Sequence, residues 1–269
     1  MSALLEIAGL SVSYGAARVV SDVTLTLSAG EVLGLVGESG SGKSTLGMAV
    51  LGLLDPAARV EAGRIALDGE DLLALPLAQR RALCGSTIAL IPQEPMAALN
   101  PTLKVGRQLD LVLRRHGKGD ARARSALVEQ ALASVLIADP PRILAAYPFQ
   151  LSGGQLQRVL IALAFALTPR LVIADEPTTA LDMSAQGAVL DLLVSRAREQ
   201  GVGVLLISHN LPLVRRFADR VAVMRRGVIV EEGPADAVLA APCHDYTRAL
   251  VAALPANAAP RCPLPVPEA

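Results

Sequence analysis

The sequence predicts an α/β fold, with buried strands delivering polar loops to one edge of a sheet, on three observations. First, Gly37-Glu38-Ser39-Gly40-Ser41-Gly42-Lys43-Ser44-Thr45 matches G-x-x-x-x-G-K-[ST] without a gap. It stands between the apolar run Val32-Leu33-Gly34-Leu35-Val36 and a helical stretch from Ser44 to Leu51. Second, Leu171-Val172-Ile173-Ala174 is a short apolar run ending in the carboxylates Asp175 and Glu176. Third, Val202 to Ile207 is another, ending in Ser208-His209-Asn210. Runs this short, separated by helical stretches, read as buried strands, and open α/β sheets gather ligands at the C-terminal ends of such strands.

The glycine-rich segment carries the most chemistry. A triphosphate needs many donors at close range, and side chains would crowd it. Gly37, Gly40 and Gly42 let the backbone of Glu38, Ser39 and Ser41 wrap phosphates at a helix N-terminus. Lys43 then reaches the β and γ oxygens, Ser44 suits Mg²⁺, and Thr45 completes the nucleotide-binding loop.

Along the chain, Leu4–Ser13 and Val19–Leu27 alternate apolar and polar residues as half-exposed strands do. Tyr14, before the turn at Gly15, is an aromatic that could stack on an adenine ring. Gly63–Leu67 reads as a strand with a tight turn at Asp68-Gly69, and Pro76–Cys84 as a helix with proline in its first turn. Thr87–Ile91 is a short strand running into Pro92-Gln93-Glu94-Pro95, which fixes a glutamine between prolines. From Met96 to Ala146 the pattern turns helical, with amphipathic stretches Val105–His116 and Arg122–Leu136 and a break at Asp139-Pro140-Pro141. The basic cluster Arg114-Arg115-His116-Gly117-Lys118 reads as a solvated loop. Leu151-Ser152-Gly153-Gly154-Gln155 precedes a helix expected over Gln157–Leu167, giving a second glycine-rich helix N-terminus and so a second anion site. Asp175 suits a Mg²⁺ shell and Glu176 a water-polarising base. Ala180-Leu181-Asp182 leads into a helix over Ala185–Arg198, and His209 is a candidate γ-phosphate contact. Val221–Met224 and Val228–Glu231 form a hairpin around Arg225-Arg226-Gly227, followed by short helices at Pro234–Ala240 and Tyr246–Leu254. From residue 255 to 269 the chain is rich in proline and alanine, the composition of a flexible tail.

Composition narrows the function. Of the 269 residues 52% are hydrophobic but only 2% aromatic, so the core is built from alanine, leucine and valine. Twenty-five basic residues balance twenty-five acidic ones, which argues against a nucleic-acid groove or a polybasic membrane patch. Cys84, Cys243 and Cys262 are too few and too irregular for a disulfide framework or a zinc site and fit a reducing compartment. Val159–Leu167, among the longest apolar runs, falls short of the ~20 residues that a bilayer span needs. A soluble protein is expected, with any membrane role supplied by a partner.

The phosphate loop, Gln93, Leu151-Ser152-Gly153-Gly154-Gln155, Asp175-Glu176, Leu181-Asp182 and His209 stand in the order seen in ATP-binding-cassette ATPases, and the chain resembles that family from residue 4 to about 254. The resemblance implies a single domain over 4–254, a P-loop NTPase core with an antiparallel β subdomain and an α-helical subdomain inserted at approximately 96–155. It implies ATP and Mg²⁺ as cofactors, with Lys43, Ser44, Gln93, Asp175, Glu176 and His209 serving the chain's own nucleotide. Among these, Ser44, Gln93 and Asp175 would hold the metal, and Glu176, His209, Lys43 and Gln93 would be catalytic. Two cassettes pack head to tail in the family, so Ser152, Gly153, Gly154 and Gln155 would cap the partner's ATP, and Asp182 would lie across the dimer seam.

Ile91-Pro92-Gln93-Glu94-Pro95 through Ala98-Leu99-Asn100-Pro101, Asp175 through Asp182 and His244-Asp245-Tyr246-Thr247-Arg248-Ala249-Leu250 resemble the dipeptide, oligopeptide and nickel uptake group. Tyr147-Pro148-Phe149, with Leu156-Gln157-Arg158 after the Ser152-Gly153-Gly154 segment, leans toward its nickel or metal-chelate branch. That group implies an importer ATPase at the cytoplasmic face of the inner membrane. It would work beneath two permease subunits with a second, similar cassette, be fed by an extracytoplasmic binding protein, and have no nucleic-acid partner. Asn210 stands where the family commonly has Asp, and Phe149 where many relatives have His. One cassette with a short insertion argues against the rival soluble cassettes that act on nucleic acid or ribosomes. The full set of catalytic residue types argues against a scaffold of a phosphonate-cleaving complex.

Overall fold

The computed structural model describes residues 3–254, so the proline-rich tail and Cys262 lie outside the described residues. In chain order the first elements are β1 (Leu5–Tyr14), β2 (Ala17–Leu27), β3 (Val32–Val36), α1 (Lys43–Leu51), β4 (Ala58–Leu67), β5 (Glu70–Asp71) and α2 (Leu77–Leu83). There follow β6 (Ile88–Ile91), α3 (Pro95–Ala98), α4 (Val105–Arg115), α5 (Ala121–Ser134), α6 (Pro140–Ala145), a 3₁₀ turn at Pro148–Gln150 and α7 (Gly153–Ala166). The last are β7 (Leu171–Asp175), α8 (Met183–Gln200), β8 (Gly203–Ile207), α9 (Leu211–Phe217), β9 (Arg220–Arg225), β10 (Val228–Pro234), α10 (Ala235–Ala240) and α11 (Asp245–Ala252). The described residues divide into two compact units, one made of 3–80 together with 205–254, the other of Arg81–Val204.

The first unit contains an antiparallel sheet in the order β2-β1-β4-β5. Leu5 lies opposite Leu27 on one side and Leu67 on the other, and this register turns Leu5, Ile7, Leu25, Leu27 and Ile65 into the core. Each such side chain contributes roughly 1.5–3 kcal/mol when removed from water. A second run of hydrogen-bonded strands in this unit has the order β10-β9-β3-β8. Here β3 is buried at every residue, is parallel to β9 and has Leu35 opposite Ala222. Its start is fixed where the Val32 N–H donates to Asp219 Oδ2 at 2.8 Å.

In the second unit β6 and β7 pair in parallel, Ile88 with Leu171 through Ile91 with Ala174. Helices α3 to α8 complete this unit. In α4, Val105, Leu109 and Leu113 recur every fourth residue and are the buried ones, so one stripe of the helix faces the core. Its polar side is tied to α5, where Arg124 Nε donates to Asp110 Oδ1 at 2.6 Å and holds that carboxyl below its usual range.

Several expectations shift. The helix expected from Gln157 begins at Gly153, because the Ser152 hydroxyl accepts the Gln155 N–H and Gln155 answers at the Ser152 N–H, a reciprocal cap. Pro140-Pro141 opens α6 rather than only ending its predecessor, since proline has no N–H to lose in a first turn and Asp139 caps it. Strand β4 starts at Ala58, not Gly63. Helix α9 adds to the expected elements, and Asn210, the residue departing from the family pattern, is its N-cap: its Oδ1 accepts the Leu213 N–H at 3.3 Å.

Candidate nucleotide site

In the first unit the phosphate-loop residues connect the end of β3 to the start of α1. Neighbouring backbone presses on this loop. A Cβ on Gly37 (φ 152°) would stand 2.1 Å from the Met224 carbonyl oxygen, and one on Gly42 (φ 105°) 2.6 Å from that of Val19. Only glycine fits both places. Lys43 is 5% exposed, and its ammonium donates to the Gly37 and Glu38 carbonyls at 2.9 and 2.7 Å and to Ser41 Oγ at 3.4 Å. Helix α1 is capped by Gly42, which has no side-chain oxygen, so the positive end of the helix is left to whatever anion the loop accepts. Ser39, Gly40 and Ser44 are exposed there, and Thr45 is half-buried.

His209, exposed, follows β8, whose end is tied to β3 by the Ser208 N–H donating to the Leu35 carbonyl at 3.2 Å. Tyr14 ends β1 half-buried, opposite Ala17 and Ala58. Two residues near the loop, Tyr246 and Arg225, carry no motif that marks them in the sequence as part of this site. The Tyr246 hydroxyl accepts the Glu38 N–H at 3.0 Å, and the Arg225 guanidinium stacks 4.8 Å from the Tyr246 ring centre. A contact spanning 208 residues leaves no local signal.

In the second unit the parallel register of β6 and β7 brings Gln93, two residues past β6, and Asp175 and Glu176, the last residue of β7 and the one after it, to the same end of the strand pair. Asp175 is 7% exposed. Glu176 turns into left-handed backbone (φ 46°), and its Oε2 accepts from Thr179 Oγ1 at 2.8 Å and from Gln93 Nε2 at 3.3 Å. Thr179, which the sequence marks only as one residue of the Asp175–Asp182 resemblance, thus holds the carboxylate through its hydroxyl. Ser152 is exposed at the N-terminus of α7, and Gly153 backs onto the Ala180–Leu181 turn, 3.3 Å from the Ala180 carbonyl oxygen to a Cβ built on it. Nothing stands within 4 Å of a Cβ on Gly154. Asp182 caps α8 by accepting the Ala185 N–H at 2.9 Å. Ser152, Gln155 and Asp182 thus each have a helix-capping role within this chain.

The ABC transporter family profile matches residues 20–179. The chain is 43% identical over 257 residues to the dipeptide transport ATP-binding protein DppD of Haemophilus influenzae, covering 94% of this chain and 78% of that protein. It is 47% identical over 263 residues to the peptidoglycan transport ATP-binding protein YejF of Agrobacterium fabrum, covering 96% of this chain and 48% of that one. Among solved structures, the dimeric post-hydrolysis state of the ATP-binding cassette MJ0796 bound to ADP and Pi superposes with a TM-score of 0.75 at 26% identity, over 86% of this chain and 98% of that one. A buried loop lysine at a helix N-terminus, a braced carboxylate after an apolar strand and these matches lead to one conclusion: the chain is an ATP-binding, ATP-hydrolysing cassette of the ABC transporter family.

Proposed function

We propose that this cassette drives uptake of peptides, working as one of two cassettes beneath membrane permease subunits. The observation that carries the cargo class is the likeness, over 94% of the chain, to a protein named for dipeptide transport. Nickel or metal-chelate uptake has only the short segments Tyr147-Pro148-Phe149 and Leu156-Gln157-Arg158 in its favour. No helix among the described residues is long and apolar enough to cross a membrane, which is consistent with a peripheral subunit at the cytoplasmic face.

On this reading Lys43 neutralises the β and γ oxygens, while Glu176 orients water in line with the γ-phosphorus. His209 contacts the γ-phosphate, and Tyr14 stacks on the base. Ser44, Asp175 and Gln93 offer hydroxyl, carboxylate and amide oxygens, a hard-oxygen set that suits Mg²⁺, which would offset phosphate charge. Gln93 already donates through Nε2, which leaves its carbonyl oxygen as the atom for a cation. Among the described residues no cluster of three or more His, Cys, Asp or Glu could hold a metal, so phosphates and water would have to complete the shell of a Mg²⁺ held by these oxygens.

Ser152, Gly153 and Gly154 cap the nucleotide of the second cassette, and an extracytoplasmic binding protein delivers cargo. The MJ0796 cassette, similar in fold and dimeric with ADP and Pi bound, supports the pairing of two cassettes. Deleting the gene and measuring uptake of a labelled dipeptide and of labelled nickel tests the reading. Loss of dipeptide uptake, restored by the wild-type gene and not by Glu176→Gln, is the expected result. Undiminished dipeptide uptake overturns it.

A further inference from the structure

The geometry points to Tyr246 as a positioning residue for the phosphate loop, acting through the Glu38 peptide on Lys43. The inference rests on residues 37–45 being the loop that takes ATP phosphates. Glu38 is held at both ends of its backbone: its N–H donates to Tyr246 Oη at 3.0 Å, and its carbonyl accepts from Lys43 Nζ at 2.7 Å. One continuous run of hydrogen bonds therefore links the C-terminal helix to the ammonium that meets the phosphates.

The phenol is itself fixed from several directions. Tyr246 is 3% exposed, and the Arg225 guanidinium lies over its ring. The start of α11 is pinned to β10, where the Glu231 carboxylate accepts the Cys243 and His244 N–H groups at 2.7 and 3.1 Å. His244 Nδ1 then caps the helix by accepting the Tyr246 N–H at 3.1 Å. Burial pushes the Tyr246 hydroxyl up from its ordinary value, and the Glu38 charge adds to this, so it stays a neutral phenol at physiological pH. A hydroxyl on a fixed helix is thus a rigid acceptor that fixes the Glu38 peptide, the same peptide whose carbonyl holds Lys43. Tying the loop before nucleotide arrives reduces the ordering that binding must accomplish.

A cavity of about 190 Å³ lies beside Glu38, Ser41, Arg225 and Tyr246, so water can take over part of the lost hydrogen bond when the hydroxyl is removed. The effect is therefore sized by a single hydrogen bond. Tyr246→Phe in the full-length protein should raise the Kd for a fluorescent ATP analogue about three- to tenfold. Val238→Ala, a truncation in the core of α10, lowers the melting temperature without touching the loop and should leave that Kd unchanged. Hydrogen exchange on nucleotide-free wild-type protein should find the Glu38 amide slower than that of Gly40, with the difference lost in Tyr246→Phe. Wild-type affinity in Tyr246→Phe, an equal rise in Val238→Ala, or equal exchange of the two amides in the wild type overturns the proposal. Lys43→Ala separates the two failures: if it binds the analogue as tightly as wild type, the reading of the loop itself is wrong.

Discussion

Gly154→Ala separates stability from function in this chain. Gly154 is the second residue of α7 and has helical backbone, and a Cβ built on it meets nothing within 4 Å. Replacing a helical glycine by alanine without a clash stabilises the fold by about 0.5–1 kcal/mol, because the unfolded chain loses freedom and the helix gains a better former. For a chain of this size that is a rise of roughly 1–4 °C in melting temperature. The same empty space is what the proposed second cassette needs for its nucleotide, and a methyl group there holds the two apart. The assembled transporter should therefore lose ATP hydrolysis at least about tenfold, a loss of about 1.4 kcal/mol or more at the transition state. Thermal melting followed by circular dichroism and a phosphate-release assay read the two quantities separately. Wild-type hydrolysis in a protein of raised melting temperature would refute the assignment of Gly154 to the partner's nucleotide. A lowered melting temperature would refute the helix argument.

Other outcomes follow from the same geometry. Glu176→Gln should keep ATP affinity within a few-fold and lose most turnover, trapping paired cassettes detectable by gel filtration; unchanged hydrolysis removes Glu176 from the reaction. Gly42→Ala forces a side chain into left-handed backbone 2.6 Å from the Val19 carbonyl oxygen, and should cost about 1–3 kcal/mol and abolish ATP binding, checked by denaturant melts and nucleotide titration. Glu231 gives a pH dependence. Burial pushes its carboxyl up, but the hydrogen bonds from the Cys243 and His244 amides help to outweigh this and hold it below its ordinary value of 4.5. A lowered carboxylate value means stability fully present above 4.5 and lost as pH falls through the lower value of the folded state. Melting temperatures of wild type and Glu231→Gln should therefore differ most near neutrality and converge in acid; a gap that widens in acid contradicts the sign.

What could be read in advance depended on how local the cause was. The phosphate loop, β7 with its two carboxylates and the β9–β10 hairpin are each specified within ten or so residues, and they stand where patterning placed them. Two glycines at the start of α7 hid its first turn, since their propensity opposes the helix and only the Ser152–Gln155 cap restores it. Asn210-Leu211-Pro212 carries a start signal, cap then proline, and attention to it could have found α9. The Thr179 hydroxyl on Glu176 was within reach, being three residues away. The Tyr246–Glu38 bond was not, because nothing in either segment refers to the other.

The left-handed backbone at Glu176 has a consequence for how this protein tolerates change. Conformations of that kind cost a side chain of ordinary bulk about 1–3 kcal/mol, whereas glycine adopts them without penalty. Selection on folding alone would favour glycine at 176, and on the proposed role of Glu176 in hydrolysis the need for a carboxylate opposes it. Random variation screened for soluble, heat-resistant protein would thus drift toward an inert cassette, and directed evolution of this chain has to select on turnover and robustness together.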